Sequence, residues 1–503
     1  MSTNHVIGIG GTGAKCVEAM VFLAACGLLP ASTVSLFDQD HANGNQVTTA
    51  QLLTLYARIQ EQLGSKLPAG PLFKTVLARP ADAQNWGWGQ LVELGDTLAT
   101  MFQLPRLDPA LNALSRCLFD NQFEIEMELS VGFRGRPSVG AAVISGSHDQ
   151  EHRFWKYVEH VLETAPGDIN VFLSGSLFGG TGAAGLPTIA RCVKRIATSA
   201  FVRPPSAQGD TQRLRIGCGM MLPYFTYLDP PPSASREVRD GIARSSELPL
   251  RTQLALDFYG RVLQEAGDDR FFDSVYLLGA PVAFNLGYSN IGGLEQRNPA
   301  LLPELFAAVA AGDFLTSARR RAGKLMSCGV DGRIDPCRLD VEWGNIPDPV
   351  EGLGDGQVRA ALGQLIRFAF AYHYAYHPYL FPADDGGGRK RFSRERWYRA
   401  LVQPSGERLD LSSVPVAADL DAFCVRLLTW WAEIALMQDG EGDISLRRLV
   451  RIGYARREES PSGRTEKPPL VRLDPVPRSR DVDGQNTLAS AFDSLLGDGG
   501  GGG

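Results

Sequence analysis

The eight cysteines form no CxxC pair; they fall singly at Cys16, Cys26, Cys117, Cys192, Cys218, Cys328, Cys337 and Cys424. That scatter excludes a zinc ribbon and gives no disulfide framework. A reducing compartment, the cytoplasm, is therefore expected. No apolar run reaches the roughly 20 residues that span a bilayer. The run EAMVFLAACGLL, starting at Glu18, reads as a buried helix instead. No basic region precedes an apolar one in MSTNHVIGIGGTG, so no secretory leader is expected. There is no basic excess either. The formal net charge of −6 argues against a nucleic-acid backbone as a direct ligand. No segment recurs at a solenoid period, and no Ser/His/Asp or Cys/His nucleophile set has local support.

What remains is an ordinary globular composition, 44% hydrophobic and 21% charged over 503 residues, long enough for two or three domains. One short repeat stands out. The pentapeptide GGTGA occurs at Gly10–Ala14 and again at Gly179–Ala183, each time after an apolar run and before a helical pattern.

The pattern along the chain alternates strands with helices. Strands are expected at 5–9, 33–40, 169–176, 214–225 and 272–281. Helices are expected at 14–28, 51–63, 89–103, 152–165, 184–199, 247–266 and 298–320. The Gly-rich, Pro-containing stretch 129–143 reads as a structured loop. Such alternation over about 320 residues predicts a doubly wound, mainly parallel α/β sheet. Residues 321–348 look irregular, with one strand-like piece at RLDVEW. A mostly helical pattern follows, with PADDGGGRKR (382–391) as a flexible connector. The expected division is 1–320, 321–455 and a disordered tail, 456–503, in which LASAFDSLL (488–496) is an island of helical pattern.

Gly8, Gly10 and Gly13 fit G-x-G-x-x-G, with Gly11 and Thr12 between them, after a strand and before a helix. Glycines at this spacing let backbone N–H groups approach phosphate oxygens at the positive end of a helix. Asp38 and Asp40, at the end of the next strand, are placed to bind a ribose. Ala14 intervenes before Lys15, so this is no Walker A loop. A Rossmann dehydrogenase fits this loop. So does an adenylating enzyme of the ubiquitin-activating type, since FDQDHANGNQ sets Asp38, Asp40 and Asn45 much as that group does.

The second loop, Phe178-Gly179-Gly180-Thr181-Gly182-Ala183-Ala184-Gly185 followed by LPTIARCV, resembles the signature of the tubulin/FtsZ superfamily. There a G-G-G-T-G-[ST]-G loop joins a strand to a helix. Phe178 stands where the first glycine is usual, and Ala183 where a hydroxyl is usual. Between the two copies, GFRGRPSVGAA is similar to the loop that faces the terminal phosphate in FtsZ, with Gly132, Gly135, Pro137 and Gly140 at compatible places. Arg134 and Arg136 there have two readings, phosphate contacts or a solvated basic turn.

The resemblance covers about residues 5–320 and is to the bacterial tubulin-like branch. It implies a GTP/GDP site with Mg2+ carried by the phosphates and no metal ligands from side chains. Both glycine turns would surround the phosphates. Asn285 or Asn298 would read the guanine edge. It also implies self-association into filaments, a tail that docks a protein partner, and GTP hydrolysis completed by acids from the next subunit. The usual acidic run is not evident; Asp331, Asp335, Asp340 and Glu342 are the candidates. Two further functions stay open: a non-hydrolysing, nucleotide-gated scaffold, and a Rossmann-type adenylating or NAD-dependent enzyme using the first loop alone. His373 and His377, four apart, read as aromatic packing rather than a metal site. His148 and His152 read as a solvated helix start, and Trp430 and Trp431 as core.

Overall fold

The computed structural model describes residues 2–40, 42–64, 72–88, 91–119, 121–130, 132–149, 152–200, 214–229, 245–265, 271–280, 284–288, 293–316, 324–328, 357–373, 415–436, 451–452 and 470–471. At its centre is a seven-stranded sheet built from β1 (Thr3–Ile9), β2 (Ser32–Phe37), β3 (Leu77–Ala78), β4 (Ile169–Ser176), β5 (Leu214–Met221), β7 (Ser274–Leu278) and β9 (Lys324–Cys328). The order is β3-β2-β1-β4-β5-β7-β9. Every neighbouring pair is parallel. β6 (Phe225–Leu228) and β8 (Phe284–Tyr288) pair separately, as do β10 (Arg451–Ile452) and β11 (Leu470–Val471).

Both faces of the sheet are covered, so its strands are apolar on both sides. On β1, Val6 faces one core, while Ile7 and Ile9 face the other. The first core contains α1 (Gly10–Ala25), α2 (Gly44–Leu63) and α10 (Leu302–Thr316). Helices α11 (Gln357–Ala371) and α12 (Pro415–Leu436) add to that core, where Phe22 meets Trp430 with ring centroids 4.8 Å apart. The second core lies under α6 (Pro137–Asp149), α7 (Arg153–Thr164) and α8 (Gly180–Ala200). Short helices α3 (Leu98–Met101), α4 (Pro109–Leu118) and α5 (Asn121–Glu126) precede α6, and α9 (Leu248–Glu265) lies between β6 and β7. Every residue of α10 from Leu302 to Leu315 is buried; its two acids, Glu304 and Asp313, accept from the hydroxyls of Tyr224 and Tyr276.

The expected doubly wound parallel sheet is present, with several local differences. The 129–143 stretch is not all loop: Pro137 starts α6, a position that needs no N–H and suits the fixed proline φ. The helix expected at 89–103 shrinks to Leu98–Met101, because Gly95 (φ +85°) and a Thr97 capping box place its start late. Both helices after the glycine pentapeptides begin inside them, at Gly10 and Gly180 rather than at 14 and 184. The strand expected at 214–225 breaks after Met221, and Leu222 then bonds across to Leu278. A strand, β9, occupies part of the stretch expected to be irregular. RLDVEW, the 382–391 connector and the 488–496 island lie outside the described residues.

Candidate functional site

Strand neighbours explain why the two pentapeptides meet. In the order β3-β2-β1-β4-β5 all strands stay parallel, but the strands after β1 are added on one side of it and those after β4 on the other. The connections leaving the carboxyl ends of β1 and β4 therefore go to opposite faces, α1 to one and α8 to the other, leaving a crevice where ligands of α/β sheets bind. β1 runs directly into Gly10 and β4 reaches Gly180 by a three-residue turn. A Cβ on Gly10 would stand 3.3 Å from the Gly182 nitrogen. Gly10 also needs its glycine for φ +71°. Gly8 and Gly13 serve packing: a Cβ on Gly13 would fall 2.5 Å from the Ser174 oxygen, against Gly8.

Here an open cleft is lined by Gly10, Gly11 and Thr12 from the first copy and Gly179, Gly180, Thr181 and Gly182 from the second. Neither helix carries an acid in its first turn, and no side chain caps α1. First-turn amides lack intrahelical acceptors, so two positive helix ends face one space. Gly132, Phe133, Arg134 and Gly135 form one wall. Arg134 adopts φ +42°, and its buried Nε has no hydrogen-bond partner among the described residues.

Asp38, Asp40, Asn43 and Asn45 line the cleft too, Asp40 next to Gly132, whose added Cβ would stand 3.8 Å from the Asp40 Cβ. Thr181 Oγ1 donates to Asp38 Oδ1 at 3.0 Å, joining the second turn to the end of β2. Loss of solvent, followed by the charge of nearby Asp40, pushes Asp38 up to about 7. Asp40 accepts from Ala42 N (3.1 Å) and Gly293 N (2.9 Å). Segment 293–298 is tied to these residues. Asn43 Nδ2 donates to Gln296 Oε1 at 2.7 Å, and Asn298 N donates to Asn45 Oδ1 at 2.8 Å. Asn298 also sits 3.3 Å from the Tyr227 hydroxyl, and both line the cleft with Phe178, Phe225 and Leu248.

Of the residues expected from sequence, the cleft thus gathers Gly10, Gly11, Thr12, Asp38, Asp40, Gly132, Arg134, Gly135, Gly179, Gly180, Thr181, Gly182 and Asn298. Gly8, Gly13, Gly140, Ala183, Arg136 and Asn285 are not among its lining. Gly140 packs α6 on Ala184 of α8. Arg136 Nε pairs with Glu124 at 3.2 Å, and Asn285 accepts from Gly287 N within its own strand. Asp331, Asp335, Asp340, Glu342 and His377 lie outside the described residues. His373 bonds Asp421 at 2.9 Å, His152 caps α7, and Trp430 and Trp431 are core. Sequence reading missed Ser176, Tyr227 and Gln296. Gln296 sits in a polar stretch with no periodic pattern, and its partner Asn43 is 253 positions away.

Among the described residues, no three His, Cys, Asp or Glu side chains converge to hold a metal, and no helix is long and apolar enough to cross a membrane. No family model and no curated protein matches the chain. A search of solved structures returns the GTPγS-bound protofilament of CetZ2 from Haloferax volcanii. The identity is 15%, over 55% of this chain and 49% of that one, with a TM-score of 0.24. The match thus spans about half the length of each.

Proposed function

We propose that the chain binds GTP and GDP in this cleft, as a tubulin/FtsZ-like nucleotide-binding protein. The observation that carries the reading is the convergence of both GGTGA turns on one space. Phosphates bear several charges, and amides from two helix starts surround them without a buried cation. Gly10–Thr12 would hold the inner phosphates from one side and Gly179–Gly182 from the other. Arg134, with its unpartnered Nε, would meet the terminal phosphate. Asn298 and Tyr227 stand together beside segment 293–298, where a base edge has hydrogen-bonding partners. The cleft also holds two carboxylates, Asp38 and Asp40. A phosphate tail entering beside them needs cationic compensation, and Mg2+ bound to the phosphates would supply it.

The same reading extends to GTP hydrolysis, with water positioned by acids from a neighbouring subunit, and to self-association. Asp331, Asp335, Asp340 and Glu342 are the proposed acids. The test begins with nucleotide released from purified protein and identified by mass. GTP or GDP is expected. Bound NAD or an adenylate would instead favour the dinucleotide reading, since the order β3-β2-β1-β4-β5 is shared with that fold. Phosphate release that rises per molecule with protein concentration supports hydrolysis between subunits; GTP retained without release favours a nucleotide-gated scaffold. Pelleting with and without GTP tests assembly.

A further inference from the structure

We infer that Glu433, on helix α12, is a positioning residue of the cleft. It acts by holding the strap 293–300 against the ligand; the inference rests on the nucleotide reading above. Three contacts tie this strap to side chains of the cleft: Gly293 N to Asp40, Gln296 to Asn43, and Asn298 N to Asn45. Each partner lines the cleft. Two further contacts converge on one carboxylate. Glu433 Oε2 accepts from Ala300 N at 2.8 Å, and Glu433 Oε1 pairs with Arg297 at 3.2 Å. Arg297 and Ala300 lie on either side of Asn298, so Glu433 holds the strap there through one backbone amide and one side chain.

The same helix also reaches α1. Arg426 of α12 bonds Glu18, and Glu18 pairs with Lys15, the residue that follows the first pentapeptide. Helix α12 therefore grips both the start of α1 and the strap, while none of its residues lines the cleft. A charge-assisted acceptor shared between a backbone amide and an arginine stabilises one strap geometry at the expense of open ones.

The experiment compares full-length wild type, Glu433→Ala and Glu433→Gln. Titration calorimetry gives Kd for GTP and GDP, and amide hydrogen exchange without nucleotide covers residues 293–300. For Glu433→Ala, Kd is expected to rise about tenfold for both nucleotides, with faster exchange confined to the strap. Glu433→Gln keeps the acceptor for Ala300 N and recovers most of the affinity. In an Asn298→Ala background, Glu433→Ala adds less than about twofold, because the strap's contact is already lost. A purely structural role predicts a lower melting temperature with Kd unchanged; that result overturns the inference, whatever the exchange shows. If wild type binds neither nucleotide, the functional reading falls. Exchange then decides the strap: faster exchange in Glu433→Ala upholds its anchoring by α12, and unchanged exchange overturns it.

Discussion

The two copies of GGTGA are identical in sequence and differ in almost everything around them. The first starts a helix wedged into the core, where α1 continues into a buried ionic group of Lys15, Glu18 and Arg426. Its Thr12 is half-buried at the cleft. The second follows Phe178, whose ring packs 5.2 Å from Phe225, and its Thr181 is spent on Asp38. Both copies bring helix-start amides to the cleft, yet not with one backbone: Gly10 is left-handed and begins α1, whereas Gly179 is not left-handed and α8 begins one residue later, at Gly180. What each hydroxyl and each helix then does is decided by residues far away in sequence. The two uses of the pentapeptide are separable by mutation.

The largest separation is expected on the first copy's side. Glu18→Gln leaves Lys15 and Arg426 buried close together without the acid between them, and should cost about 3–5 kcal/mol in denaturant unfolding. The second copy has no such charge group to break. Its counterpart is Phe178→Ala, which empties a buried aromatic position and should cost about 3–5 kcal/mol, toward the lower end because the cleft is open beside it. A wild-type unfolding midpoint in either variant would refute the corresponding packing account.

The threonines sharpen the contrast further. Thr181→Val removes the hydroxyl that bonds Asp38, and stability should fall by about 1–3 kcal/mol. Thr12→Val should leave stability within about 0.5 kcal/mol and weaken nucleotide binding, measured as a raised Kd. Equal effects of the two substitutions would mean that the copies are equivalent after all.

The smallest effect is a slope with pH. Asp38 and Glu304 are each pushed up to about 7, chiefly by burial, so the folded chain holds their protons more tightly than the unfolded chain does. Their contribution to stability is full below the ordinary carboxylate range and is lost as pH rises through about 7. Between pH 6.5 and 7.5 each group should lower stability by ~0.7 kcal/mol at most. Asp38→Asn should remove its share of that slope. A slope of opposite sign in the wild type, with no change in Asp38→Asn, would place the proton elsewhere.

Much of the scaffold was legible in sequence because its signals are local. β1, β4, β5 and β7 are short apolar runs followed by turns, and the glycine spacing announces close approach of backbone to a ligand. The start of α6 was not legible. Pro137 reads as a breaker until its place in the first turn is known. The strap was hidden for another reason. Gly293, Gln296 and Asn298 find partners more than 250 positions upstream, and Glu433 reaches back 133 positions to Ala300, so no window of sequence contains both ends. Asn298 emerged as a base-side candidate only through the family resemblance, which equally suggested Asn285.

The span of the cleft sets a condition on synthesis. Its walls come from residues near 10, 38, 134, 180 and 298, and its strap answers to residue 433. A ribosome adding residues from the N-terminus has made both glycine turns well before it reaches the strap, and the strap well before its anchor. A nascent chain therefore owns an open, half-built cradle through most of its translation. Ligand capture becomes a mark of a finished molecule, and chains truncated before α12 should be born unable to keep what they catch.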